Sequence, residues 1–146
     1  MNKHDDLELT VISCLLNNPE YMKDTILKDE YFVKHKRLWK FLKVFYNKYK
    51  TFDLNLMYAV ADDKPMFMLH MQQLTDYEIL TNHFKEYELM LKEKYYEDEK
   101  ERWISEQVFG LASEFYVKSI DLNKFKMKLD KIYEYADKYF KSKGEK

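Results

Sequence analysis

The sequence predicts an all-α fold, a small helical-bundle head followed by a long antiparallel helical hairpin, on three observations. Backbone punctuation is scarce: 146 residues contain two glycines and two prolines, whereas a β-sheet domain of this size needs several tight turns, many with φ above zero. Apolar residues recur at spacings of three and four along most of the chain, the period of helices with one buried face. From about residue 81 a heavily charged stretch runs without Gly or Pro as far as Gly110, which reads as one long, protruding helix.

The first helix begins near Asp5 or Asp6, where a carboxylate can accept backbone N–H groups, and carries Leu7, Val11, Ile12, Leu15 and Leu16 on one side as far as Asn17-Asn18. Pro19 suits the first turn of a second helix through Met22, Ile26 and Leu27. Residues 34–50 form a third, with Leu38, Leu42, Phe45 and Tyr49 as its stripe and Trp39, Phe41 and Tyr46 widening it, placed at the centre of the core. Asp53 caps a short helix through Leu56, Val60 and Ala61, and Asp62-Asp63-Lys64-Pro65 opens another through Met66, Leu69 and Gln73. These five segments make a head over residues 1–78.

The hairpin occupies residues 79–142, with helices at 79–117 and 121–142 and a disordered tail at 143–146. Phe84, Tyr87 and Leu91 start a seam, and residues 92–102 hold nine charged residues in eleven. Ile104, Val108, Leu111 and Phe115 then resume the apolar stripe at 4, 3, 4. Leu122, Phe125, Leu129, Ile132, Ala136 and Tyr139 keep the spacing 3, 4, 3, 4, 3, an a/d stripe of the coiled-coil kind. Two matching seams predict an antiparallel pair, able to associate with a second copy into a homodimer.

Composition narrows the function classes. Hydrophobic residues make up 46% and aromatic residues 17% of the chain, enough for the core of one ordinary domain. With 25 Lys and Arg against 26 Asp and Glu, affinity for a polyanion has to come from a local patch. The lone Cys14 lies in an apolar run and reads as a small buried hydrophobe in a reducing compartment. No run approaches about 18 apolar residues, and the N-terminus turns acidic before its apolar residues begin. A cytoplasmic protein with neither membrane span nor signal peptide is expected.

The order of elements resembles the N-terminal domain of DnaB-type replicative helicases. The likeness rests on Glu8-x-x-Val11-Ile12-x-x-Leu15-Leu16-x-x-Pro19, on Phe32-x-x-His35-x-x-Leu38, on Tyr46 before the turn, and on Asp53 opening the next helix. In the hairpin it rests on Tyr87-Glu88-Leu89-Met90-Leu91-Lys92-Glu93-Lys94, similar to the family's aromatic, paired-aliphatic, basic-acidic-basic run. The family's Gly-Gly stretch before the hairpin is missing, and Glu97-Asp98 stand where an arginine is usual. The chain stops where the ATPase domain would begin. The resemblance implies a stand-alone version from a bacteriophage or mobile element, self-associating through its hairpin and binding helicase, loader or primase. The abundance of Lys, Tyr and Phe suits a host with a low-GC genome.

Chemistry-bearing constellations are few. Neither G-x-x-x-x-G-K-[ST] nor G-x-G-x-x-G occurs, so nothing here cradles the phosphates of ATP and no helicase activity is expected of this chain. His4, His35, His70 and His83 lack the spacing of a metal site, and no cofactor is expected. His35 is expected to bridge the head's helices or cap a terminus rather than catalyse. Asp62-Asp63 are read as capping residues, and no nucleophile, base and oxyanion-donor set is visible, so the chain is not expected to be an enzyme.

Partner-binding candidates fall into two groups. Residues 34–50 carry seven cations and no acid, and Lys36, Arg37, Lys40 and Lys43 with Trp39 and Tyr46 could serve DNA or an acidic protein. The plainer reading is the solvated face of an amphipathic helix. Tyr95, Tyr96 and Trp103, apolar residues on a protruding charged helix, are expected at an interface. Two alternatives stand beside the replication module: an antirepressor-like regulator that inactivates a transcriptional repressor, and a DNA-binding protein using helix 34–50.

Overall fold

The computed structural model describes residues 6–75 and 83–145. Among them are six α-helices, two short 3₁₀ turns and no strand, so the fold is all-α. The chain divides into two compact units, a head at Met1–Leu91 and a second unit at Lys92–Lys146.

The head is built around α1 (Leu7–Asn17), in which every residue from Glu8 to Leu15 is buried. This helix, rather than residues 34–50, is the centre of the core. It starts where the Asp6 carboxylate accepts the Leu9 N–H at 3.1 Å; the alternative start at Asp5 lies outside the described residues. Burial pushes the Cys14 thiol up to about 11, as suits a side chain packed like a small hydrophobe.

The second helix expected after Pro19 is only a 3₁₀ turn, Pro19–Lys23. The reason lies far along the chain. Glu88 accepts the Thr25 hydroxyl and, at 3.0 Å, the Ile26 N–H, while the Leu27 N–H donates to Thr25 Oγ1. These bonds occupy groups that a helix would have used internally, leaving Ile26 exposed and Leu27 buried. A second 3₁₀ turn, Asp29–Tyr31, follows.

α2 (Lys36–Tyr49) buries Leu38, Trp39, Leu42, Phe45 and Tyr46, five of the seven residues of its expected stripe, while Phe41 and Tyr49 are half-buried. It ends at Lys50, left-handed at φ 58°, whose N–H donates to the Tyr46 carbonyl. The Asp53 carboxylate accepts the N–H groups of Asn55 and Leu56 and starts α3 (Leu54–Val60). Of the expected Leu56, Val60 and Ala61, Ala61 is buried, Leu56 half-buried and Val60 exposed, while α3 buries Met57. In α4 (Lys64–Thr75) Phe67 and Leu74 are buried, whereas Met66, Leu69 and Gln73 are exposed. The phase is set by Phe67, which meets Phe41 of α2 edge-on at 6.0 Å.

α5 (Phe84–Tyr116) is a single helix whose first residues belong to the head. Phe84 stacks on Tyr21 at 4.5 Å, and Glu88 holds residues 25 and 26. Phe84, Tyr87 and Leu91 are therefore head residues rather than the start of a hairpin seam. The expected boundary at residues 78 and 79 lies outside the described residues, and the compact head extends to Leu91.

In the second unit α5 turns back into α6 (Leu122–Glu145). Lys118, at φ 62°, takes the left-handed position usually given to glycine. Its N–H donates to the Phe115 carbonyl and that of Ser119 to the Glu114 carbonyl, the paired closure of a Schellman motif. The Asp121 carboxylate accepts the Lys124 N–H at 2.8 Å and begins the return. The tail expected to be disordered at 143–146 is instead helical through Glu145.

Candidate interaction surfaces

Two carboxylates position the start of α2. Glu8, buried in α1, accepts the N–H groups of Val33, Lys34 and His35 at 3.1, 3.3 and 2.9 Å. Such an anion beside free N–H groups ahead of a helix complements both their hydrogen-bonding demand and the helix dipole. The His35 Nε2 lies 3.0 Å from Asp6 Oδ2, so the imidazole bridges the residues that open α1 and α2. This is the bridging role that the sequence suggested. The other ring nitrogen, Nδ1, is buried without a protein partner.

The His70 ring, on α4, stands edge-on to His35 at 6.1 Å, and its Nδ1 is also buried without a partner. Burial first, and then the neighbouring His35, hold His70 below the ordinary imidazole range. Both rings line an open groove of about 710 Å³ between α2 and α4. Phe41 and Phe67 lie in its wall, and Val33, Val44 and Met66 stand exposed beside Lys36, Arg37 and Lys40.

Of the four cations singled out in residues 34–50, the groove gathers these last three. Lys43 is spent elsewhere, 2.5 Å from Asp29, which also accepts the Trp39 indole N–H at 2.8 Å. The Lys43 hydrogen bond is the first reason that the Asp29 carboxyl lies below the usual carboxylate range. Trp39 is buried and stacked on Phe32 at 4.8 Å, and Tyr46 is buried as well. Neither ring is available to stack on a nucleobase.

The seam of the second unit packs α5 against α6 but is covered only in part. Leu111 and Ala136 are buried, Ile104, Val108, Phe125, Leu129 and Ile132 are half-buried, and Phe115 meets Phe125 at 5.0 Å. Phe115, Leu122 and Tyr139, towards its edges, are exposed. Trp103 packs against Tyr135 at 5.1 Å and Phe140 at 6.4 Å, so its ring joins the two helices instead of standing free. Tyr95 and Tyr96 are half-buried and meet each other edge-on at 5.0 Å.

The most exposed apolar groups of this unit are ones that the periodicity does not single out. Phe109, Tyr116 and Val117 are 75%, 87% and 69% exposed. Phe109 and Tyr116, seven residues apart, share a flank of α5 that lies off the buried stripe. A signal was present in the sequence: both aromatics fall out of step with Ile104, Val108, Leu111 and Phe115.

Among the described residues no three His, Cys, Asp or Glu side chains are placed to hold a metal ion, and no helix is long and apolar enough to cross a membrane. In comparisons with known proteins the chain matches no family model, no curated protein and no solved structure.

Proposed function

We propose that this protein is a non-catalytic protein-interaction module of DNA replication, similar to the N-terminal domain of DnaB-type helicases and encoded by a bacteriophage. It acts in the bacterial cytoplasm, self-associates through its second unit, and engages a helicase, loader or primase through its head. The observation that carries this reading is the display to water of Phe109 and Tyr116 on α5 and of Val117 just past its end, off the stripe that packs against α6. Large apolar side chains gathered into one exposed patch mark a surface that another protein can cover. Burying them gains about 25 cal/mol per Å² of apolar area, against which the association entropy must be set. The seam residues stabilise the hairpin, and its outer flank meets the second copy.

Sedimentation equilibrium on the wild type and on the Phe109→Asp, Tyr116→Asp double variant tests the self-association. A dimer that becomes a monomer with unchanged helical circular dichroism is expected, and a monomeric wild type would remove this part of the proposal. Capture from host lysate followed by mass spectrometry addresses the partner. Replication proteins are the expected catch; a transcriptional repressor in their place would support the antirepressor reading instead.

A further inference from the structure

The groove between α2 and α4 combines features that the fold does not need. Val33 and Val44 are 79% and 66% exposed, so neither contributes to the head's core. Lys34, Lys36, Arg37 and Lys40 surround them, and none of the four forms an ion pair with a carboxylate among the described residues. The acids of the groove, Asp62 and Asp63, do not balance these cations. The Asp63 carboxylate is occupied in part by the Met66 N–H, which it accepts at 3.0 Å.

We propose that this groove is a docking site for an acidic amphipathic helix of a partner protein. Apolar side chains from one face of that helix seat against Val33, Val44 and Met66, and its flanking carboxylates meet Lys36, Arg37 and Lys40. Helix-in-groove recognition asks for this combination, apolar anchors at helical spacing and complementary charge at the rim. A nucleic acid fits less well, because the exposed valines offer nothing to a phosphate backbone and the aromatics that would stack on bases, Trp39 and Tyr46, are buried. The inference rests on reading the protein as an interaction module and names the chemistry of what its head binds.

The test is fluorescence anisotropy on the full chain, using two labelled helical peptides of about 18 residues, roughly five turns. Both carry one leucine stripe; one has glutamates and the other lysines at the flanking positions, and a short DNA duplex is the third probe. The acidic peptide is expected to bind roughly tenfold more tightly than either of the others, with affinity that falls as salt rises. Val33→Asp, Val44→Asp, Arg37→Glu and Lys40→Glu should each weaken it severalfold, while Lys48→Glu, on the same helix outside the groove, should not. The two valines are so exposed that their replacement spares the fold, which circular dichroism would verify.

Equal binding of the two peptides, preference for the duplex, or indifference to all four substitutions overturns the proposal. Loss of self-association in Val44→Asp would assign the groove to a second copy and overturn it equally. A monomeric wild type that still prefers the acidic peptide would sink the self-association while leaving the groove in place, so the two readings fail separately.

Discussion

In the head, carboxylates reach across the fold to backbone groups: Glu8 holds the N–H groups of residues 33 to 35, and Glu88 holds that of Ile26, from positions only 7% and 4% exposed. In the second unit the carboxylates of Asp137 and Glu114 pair with Lys100 and Lys128 at its surface, where the two acids are 68% and 49% exposed. A buried acceptor serving several donors cannot be removed without stranding them, whereas water replaces either partner of a surface pair. The Glu88 carboxyl shows the cost of such burial, pushed above the ordinary carboxylate range despite its bonds to Thr25 and Ile26. The head thus depends on particular atoms, and the second unit on pattern and area.

Three substitutions would break or sharpen that contrast, each read by hydrogen exchange of the amides in the unit concerned. Glu8→Ala strands three N–H donors and should cost the head about 3 kcal/mol. Loss of protection across α1 and α2 is expected, and a cost below about 1 kcal/mol would refute the idea that this carboxylate organises the entry to α2. Gly110→Ala should act in the opposite direction. A Cβ at that position meets nothing within 4 Å, so alanine should stabilise α5 by about 0.5–1 kcal/mol. Destabilisation there would mean that the added methyl meets a second copy. Lys100→Met removes the partly exposed pair with Asp137 and should change stability by about 0.5 kcal/mol or less; a larger loss would place the second unit in the same class as the head.

The same contrast explains how much could be read beforehand. The seam of the second unit follows from spacing alone, which is why Leu111 and Ala136 are where their stripe puts them. The caps at Asp6 and Asp53 were legible too, since a capping carboxylate serves N–H groups two or three residues ahead of it. α3 is different: seven residues make fewer than two turns, and Leu56, Met57 and Val60 offer competing phases that only tertiary packing separates. The irregular path of residues 25–28 carried no local signal, because its cause sits 62 residues further on. The groove was half visible. Its cations were apparent in residues 34–50, but His70 and Met66 join them only through the packing of α4.

Glu88 also bears on how the head is made during synthesis. Thr25 and Ile26 must wait for a group on α5, so a nascent chain that has emerged only as far as residue 78 has all five head segments and still lacks the acceptor for these donors. Phe84 is missing at that stage as well, and with it the stacking of the two rings. The head is therefore sealed only after the ribosome has released the opening turns of the long helix. A fragment cut at the apparent end of the head should be stickier and more readily cleaved by proteases than the whole chain.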